Sequence, residues 1–131
     1  MVRTEIIRKW LERVEYDMDT AIAMLKAKKY IYVIFMCQQS IEKCLKAMLA
    51  YMGKEVTPIH NLRRLSALAG IIEELENSRL IKLDFLSRYY INARYKEDLQ
   101  ELSKGITEKT AQDFIQFSEE IIKWLYQKMK Q

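Results

Sequence analysis

Residues 30–52 read YIYVIFMCQQSIEKCLKAMLAYM, and this stretch decides how the rest of the chain is organised. It opens with an apolar run of eight residues, from Tyr30 to Cys37. Apolar residues then recur every three or four positions, the spacing of one face of an α-helix, at Ile41, Cys44, Leu45, Met48 and Leu49. The opposite face carries the polar residues Gln38, Gln39, Glu42, Lys43 and Lys46. We therefore predict a central helix that is buried at its start, half-exposed further on, and ended near Gly53.

Length and composition favour a single helical domain that spans residues 1–131. Hydrophobic residues make up 50% of the chain and charged residues 31%, which is typical of a globular protein. With three glycines and one proline, few breaks are expected in the helices. The N-terminus lacks the apolar core of a signal peptide, and no apolar run approaches the ~20 residues that span a membrane. The sequence therefore predicts a cytoplasmic protein without membrane association.

Helical spacing continues on both sides of the central stretch. Helices are predicted over about 4–28, 58–69 and 78–93, and a last helix follows Thr107. Thr57 is the predicted cap of the short third helix, with Pro58 in its first position, and Thr107 is the predicted cap of the last. The predicted fold is all-α: an antiparallel up-and-down bundle of four long helices plus a short additional helix.

The last predicted helix carries an apolar stripe that Phe117 and Trp124 widen into a second contact surface. That surface is either part of the core or an interface with another protein. A small bundle does not easily bury two full faces of one helix, so self-association would cover the surplus. A two-fold dimer is the commonest arrangement, and we predict a homodimer.

Charge and cysteine content narrow the function only slightly. A net charge of +4 and a pI of about 9.0 are compatible with nucleotide or RNA binding, although a spread of basic residues is more typical of a solvated surface. On one helix, Cys37 and Cys44 would lie roughly 10 Å apart, too far for a disulfide, and we interpret them as buried thiols. No Cys/His cluster has zinc spacing, and no metal or cofactor is predicted.

Few single residues are candidates for chemistry. The sequence has no glycine-rich phosphate loop, GxSxG elbow or HExxH pair. His60 is the one histidine, and this side chain is suited to proton transfer near neutrality. A lone histidine beside a helix start is also a common capping or packing residue, so both interpretations stay open. Asp17 lies at the edge of the first apolar stripe, where it either faces solvent or points into a polar cleft beside the core.

A second candidate is the pair Tyr90 and Arg94, four residues apart on one predicted helix face. An aromatic ring beside an arginine can stack a base and bind a phosphate. Alternatively, Tyr90 packs into the core while Arg94 binds the carbonyl groups at the helix end. The sequence leaves both open.

Four segments, taken together, resemble the HEPN family, the higher eukaryotes and prokaryotes nucleotide-binding domain. They are Asp17 in the first helix, QQSIEKCLKAML at 38–49, PIHNLRRL at 58–65 and YYINARY at 89–95. The resemblance covers nearly the whole chain and implies an all-α up-and-down bundle that is often dimeric. It also implies a polar ligand site at the matching positions, which are Gln39, Glu42, Lys43, His60, Tyr90 and Arg94.

The resemblance also implies a class of function. Many family members are encoded beside a small nucleotidyltransferase, as a toxin–antitoxin or stress-response pair. A large subset are metal-independent ribonucleases in which a histidine follows an arginine by four to six residues. No histidine follows Arg94 in that range. The resemblance is therefore to the nucleotide-binding branch, and it implies a nucleotide- or RNA-binding protein with a nucleotidyltransferase partner.

Two alternatives remain, so the sequence leaves open whether the protein is an enzyme. One is a metal-independent ribonuclease that uses His60 and Arg94, and the other is a helical dimerisation module without a ligand. In the predicted site, Arg94 and Lys43 supply positive charge for a phosphate and Tyr90 offers a ring for stacking. His60 would act as a hydrogen-bond donor or as a general base.

Overall fold

The computed structural model describes residues 2–92, 101 and 103–130, and over these residues the chain contains helices and connections but no strand. The helices are α1 (Val2–Lys26), α2 (Tyr30–Tyr51), α3 (Leu62–Leu68), α4 (Asn77–Asn92) and α5 (Glu108–Met129), with a 3-10 turn at Ile72–Glu74. Four helices are long and α3 is short. The predicted all-α bundle is therefore confirmed.

The central position predicted for α2 is also confirmed, because α2 contacts α1, α3, α4 and α5. Its opening apolar run is buried, with Val33, Ile34 and Cys37 fully shielded from solvent. The other helices pack their own apolar residues around it: Val14 and Ala21 from α1, Leu65 from α3, Leu83 and Leu86 from α4, and Ala111 and Leu125 from α5. The core thus surrounds one helix, and α2 presents more than one side to its neighbours.

The turns on either side of α2 have different origins. Helix α1 ends at Lys26, two residues before the predicted boundary. Lys28 then takes a left-handed conformation with φ of 62°, and the Lys29 amide donates to the Met24 carbonyl at 2.8 Å. This closed turn leads directly into α2. At the other end, Gly53 has φ of 73° and ends the helix as predicted.

The start of α3 differs from the prediction. The helix begins at Leu62 and is capped by Asn61, whose side chain accepts from the Arg64 amide at 2.9 Å. The Thr57 hydroxyl, predicted as the cap, is buried and has no hydrogen-bond partner among the described residues. A tertiary contact explains the difference. The Gln38 side chain donates to the His60 carbonyl at 3.1 Å, which holds the segment before Asn61 against α2 and delays the helix.

The start of α5 agrees with the prediction. The Thr107 hydroxyl accepts from the Thr110 amide at 3.1 Å and caps the helix. Helix α4 begins at Asn77, one residue before its predicted start, and its predicted end at residue 93 lies outside the described residues. None of the described helices combines the length and the apolar character that a membrane crossing needs.

Of the two interpretations of Phe117, core or interface, the structure shows the core one. Phe117 is buried within the single chain, at 5% exposure. Its ring meets that of Phe114 edge-on with centroids 6.1 Å apart, and Lys82 of α4 lies over it at 5.3 Å. Trp124 is half-buried and also packs against the core. The homodimer stays a prediction, without the support that Phe117 was expected to give.

The two cysteines are buried free thiols, as predicted. Burial raises the pKa of the Cys37 thiol to about 12 and also raises the pKa of Cys44. Both thiols are therefore protonated near neutral pH. A protonated, buried thiol is a poor nucleophile, so neither cysteine belongs to a candidate site.

Candidate functional site

A buried carboxylate, Glu42, organises the polar side of α2. One of its oxygens, Oε1, accepts from Gln38 Nε2 at 2.9 Å. The other, Oε2, lies 3.0 Å from Lys46 Nζ and 3.0 Å from His60 Nδ1. Gln38, Glu42 and Lys46 are spaced four residues apart, so consecutive helical turns bring them together. We refer to Gln38, Glu42, Lys46 and His60 as the Glu42 network.

We predicted that the polar face of α2 is half-exposed, and for three of its residues this prediction is wrong. Gln38, Glu42 and Lys46 are only 0%, 5% and 6% exposed. Glu42 and Lys46, four residues apart, form a buried ion pair. The reason is tertiary, because α1 lies along one side of this face while the connection to α3 lies along the other.

His60 is held by the network but remains accessible. It belongs to the extended segment before α3, and 43% of its side chain is exposed. An ionised carboxylate only accepts hydrogen bonds, so the contact with Glu42 favours the tautomer that carries its proton on Nδ1. Among the described residues, Nε2 has no hydrogen-bond partner. The arrangement directs one fixed imidazole nitrogen away from the network.

Tyr90 of α4 supports the other side of this contact. Its ring stacks on the His60 ring, with centroids 4.4 Å apart and an interplanar angle of 22°. It also stacks on Phe35 of α2, at 6.0 Å and 13°. The ring predicted to receive a base is thus already in contact with two rings of the protein. His60 is the more exposed ring of the His60–Tyr90 pair, since Tyr90 is half-buried.

The junction of α3 and α4 keeps His60 beside Tyr90. Arg63 forms a two-pronged contact with Asp84 of α4, through Nε at 3.1 Å and Nη2 at 2.9 Å. The Leu62 amide, at the start of α3, donates to the Ser87 hydroxyl at 3.0 Å. These bonds lie two and three residues after His60 in the chain. They tie the start of α3 to the helix that carries Tyr90.

Lys43 lies on the α1 side of the network. Its Nζ is 2.5 Å from Asp17 Oδ2, and Asp17 is 5% exposed. Of the two interpretations of Asp17, the structure shows the buried polar one. Lys43 was expected to approach Tyr90, but its ion pair connects α2 to α1. Its remaining exposure, 21% of the side chain, leaves the ammonium group partly open to solvent.

The remaining two predicted site residues are Gln39 and Arg94. Gln39 is half-buried and donates from Nε2 to Gln38 Oε1 at 2.7 Å, which attaches it to the network. Arg94 lies outside the described residues. Its pairing with Tyr90, and its joint use with His60, therefore stay predictions.

Two members of the network, Gln38 and Lys46, were not among the predicted site residues. They lie four residues before and four after Glu42, and that spacing is the signal that could have found them. The sequence around Gln38 and Lys46 does not indicate that they are buried, because polar residues at helical spacing usually mark a solvated face. Among the described residues, no group of three or more His, Cys, Asp or Glu side chains is placed to hold a metal ion.

The geometry combines an ordered, half-exposed imidazole with cations held nearby. When neutral, His60 in the favoured tautomer can accept a proton at Nε2, and when protonated it can donate to an anion. Lys46 and Lys43 each sit beside a carboxylate, so the positive charge of the site is balanced inside the protein. The arrangement is suited to one polar contact from His60 rather than to a deep anion pocket.

Known proteins share this architecture. A model of the HEPN domain family matches residues 7–129. TT1696 from Thermus thermophilus is similar in structure, with a TM-score of 0.76 and 23% identity over 93% of this chain and 97% of that chain. ST0689, an archaeal HEPN homologue, has a TM-score of 0.71 and 24% identity over 94% of this chain and 97% of its own. No curated protein sequence matches the chain. The family match over most of the sequence shows that this chain belongs to the HEPN domain family.

Proposed function

We propose that the protein binds a nucleotide or an RNA end at the exposed edge of the Glu42 network. One observation carries the proposal. The His60 imidazole is fixed by Glu42 on one side and by the Tyr90 ring on another, while 43% of its side chain faces solvent. A histidine that serves only in packing needs neither a buried carboxylate nor an accessible second nitrogen.

Preorganisation makes this contact effective. A side chain that is already ordered loses little conformational freedom on binding, so more of the contact energy appears as affinity. A protonated His60 would donate from Nε2 to a phosphate oxygen, and a charge-assisted hydrogen bond is worth about 1.5–3 kcal/mol. The exposed face of the imidazole ring is also a surface on which a base can stack.

The proposed partner is a small nucleotidyltransferase in a toxin–antitoxin or stress-response pair. This part of the proposal rests on family membership. An adjacent gene for a short nucleotidyltransferase, and co-purification of the two proteins when expressed together, would support it. Separate elution of the two at micromolar concentrations would count against it.

A second candidate function is metal-independent RNA cleavage. The observation that favours it is the Glu42–His60 contact, which leaves Nε2 as the basic nitrogen of the neutral ring. A base at that position could take the proton from a ribose 2′-hydroxyl as its oxygen attacks the neighbouring phosphorus. The bond from phosphorus to the 5′-oxygen of the next nucleotide would then break, and this oxygen would take a proton from the protonated imidazole or from water. The predicted role of Arg94 would be to stabilise the charge on that phosphate.

Binding and cleavage can be separated in one set of experiments. Adenosine monophosphate and a short single-stranded RNA would be titrated into the wild type and the His60→Ala and Arg94→Ala variants. We expect each variant to bind about ten- to a hundred-fold more weakly, the loss of one charge-assisted contact. The control is Arg8→Ala, since Arg8 is exposed and pairs with Glu12 on α1. Thermal melts would show that each variant is folded.

The outcomes discriminate between the candidates. Wild-type affinity in His60→Ala would contradict the proposed site. RNA cleavage that persists in EDTA and is lost in His60→Ala would establish the ribonuclease. An absence of binding to either probe by the folded wild type would favour the third alternative, a dimerisation module without a ligand.

A further inference from the structure

Trp10 of α1 is placed unusually for a large aromatic residue. It is half-buried, yet it is not among the partly buried side chains that pack against the hydrophobic core. It lines a shallow depression of about 180 Å³ together with Ile6, Lys9 and Arg13. Ile6 is itself 41% exposed. The surface therefore presents apolar and aromatic groups that the fold of the single chain does not need for its core.

The groups around Trp10 are cationic. Arg13 Cζ lies 5.6 Å from the ring centroid, and Lys46 Nζ lies 6.0 Å from it. Among the described residues, neither Lys9 nor Arg13 forms an ion pair with a carboxylate. By contrast, Arg8 on the same helix pairs with Glu12 at 2.6 Å. Cations beside a partly exposed aromatic ring are common on surfaces that bind nucleic-acid strands.

Two buried side chains, Lys46 and Glu42, connect this patch to the proposed site. Lys46 Nζ contacts both the Trp10 ring, at 6.0 Å, and Glu42 Oε2, at 3.0 Å. Glu42 Oε2 is in turn 3.0 Å from His60 Nδ1. The His60 and Trp10 rings are therefore separated by no more than a few nucleotides of a single strand, in which stacked bases lie about 3.4 Å apart. Both lie beside the same side of α2.

We propose that Trp10, with Lys9 and Arg13, is a second contact point for the strand that binds at His60. The ligand class is then a single-stranded RNA of several nucleotides, not a mononucleotide. One base stacks at Trp10 while the backbone phosphates meet Lys9 and Arg13. This inference rests on the proposed function, because it extends the site at His60. It adds a separate contact with its own residues on a different helix.

The test compares ligands of different length. The chain has two tryptophans, so a Trp124→Phe variant leaves Trp10 as the one tryptophan that reports by fluorescence. We expect six-nucleotide oligoadenylate to quench this fluorescence and adenosine monophosphate to leave it unchanged. The hexanucleotide is also expected to bind the wild type at least tenfold more tightly than the monophosphate, since each added base–aromatic contact contributes to affinity.

Substitutions then assign the effect to this patch. Trp10→Ala and Arg13→Ala are expected to weaken hexanucleotide binding about tenfold and to leave monophosphate binding unchanged. Trp10→Leu keeps apolar bulk without a flat ring and is expected to behave like Trp10→Ala. Arg8→Ala is the matched control, with the same charge change on the same helix, and is expected to bind both ligands like the wild type.

Each outcome has a clear meaning. If the hexanucleotide binds no more tightly than the monophosphate, or if Trp10→Leu is unaffected, the inference is overturned while the site at His60 stands. If Trp10→Leu weakens both ligands equally, Trp10 acts by positioning Lys46, and the inference is again overturned. If the folded wild type binds neither ligand, the proposed function itself fails, and the inference fails with it.

Discussion

The two sides of α2 are almost equally buried, yet they are buried for opposite reasons. On the apolar side, Ile41 and Leu45 are 0% and 1% exposed. On the polar side, Gln38 and Glu42 are 0% and 5% exposed. The apolar side is stabilised by the removal of hydrocarbon from water. The polar side loses its hydrogen bonds to water on burial. The hydrogen bonds and the ion pair of the Glu42 network replace them. Burial in this protein therefore does not separate core residues from candidate site residues.

The two sides of α2 also differ in what they contribute to the stability of the fold. Burial of an apolar side chain contributes about 1.5–3 kcal/mol to stability. A buried ion pair contributes little net stability, because the desolvation of its charges offsets their attraction. The network is costly to break, however, since each lost partner leaves a polar group unsatisfied. Its contribution is the fixed position of His60 rather than a more stable fold.

The largest effect is expected on the apolar side. Replacement of Leu45 by Ala should lower the free energy of unfolding by about 3 kcal/mol, because a buried leucine leaves a cavity. Urea denaturation would measure the change. The control is Leu68→Ala, since Leu68 is 40% exposed and should lose well under 1 kcal/mol. Equal losses for the two variants would contradict the assignment of Leu45 to the core.

An intermediate effect is expected from Glu42→Gln. The variant keeps the side-chain shape and an oxygen that can accept from Lys46, but it removes the counter-charge. A loss of about 2 kcal/mol is expected, the cost of a weakened buried polar contact. The matched control is Glu119→Gln on the exposed surface of α5. A second readout is specific to the network. Nucleotide affinity should fall together with stability, because His60 loses its carboxylate partner.

The smallest of the three effects is expected from Asp17→Asn. Asp17 is buried, but its partner Lys43 keeps 21% exposure and can turn to water when the carboxylate is removed. We therefore expect a loss of about 1 kcal/mol in urea denaturation. The control is Asp19→Asn. Asp19 lies two residues after Asp17 on α1 and is exposed, so this variant should have the free energy of unfolding of the wild type. A loss for Asp17→Asn as large as that for Leu45→Ala would show that the polar side is as essential to folding as the apolar side.

Much of the fold was predictable, because helices follow from the spacing of apolar residues within a short window. The long helices, the Gly53 end of α2 and the Thr107 cap of α5 are all local features. The start of α3 was not predictable in the same way. Thr57 and Asn61 are both residue types that favour the cap position. The choice between them depends on the hydrogen bond from the Gln38 side chain to the His60 carbonyl, which joins residues 22 positions apart in the sequence.

The site was predictable in part, for a related reason. The sequence places Glu42 and Gln39 on one side of α2, and the structure places them there. It could not show that the side is buried, because a polar helix face has the same pattern whether water or another helix covers it. The contact of His60 with Glu42 and Tyr90 joins three separate segments, so its geometry depends on how α3 and α4 pack. The same packing decides that Lys43 meets Asp17.

The shared carboxylate of Glu42 also restricts how this chain can evolve. Three donors, from Gln38, Lys46 and His60, depend on the same two oxygen atoms. Replacement of Glu42 alone leaves a buried cation without its partner, and replacement of Lys46 alone leaves a buried anion without its partner. Any path from this site to an apolar one therefore passes through destabilised intermediates unless several positions change together. Among related sequences, positions 38, 42, 46 and 60 are expected to covary as one set.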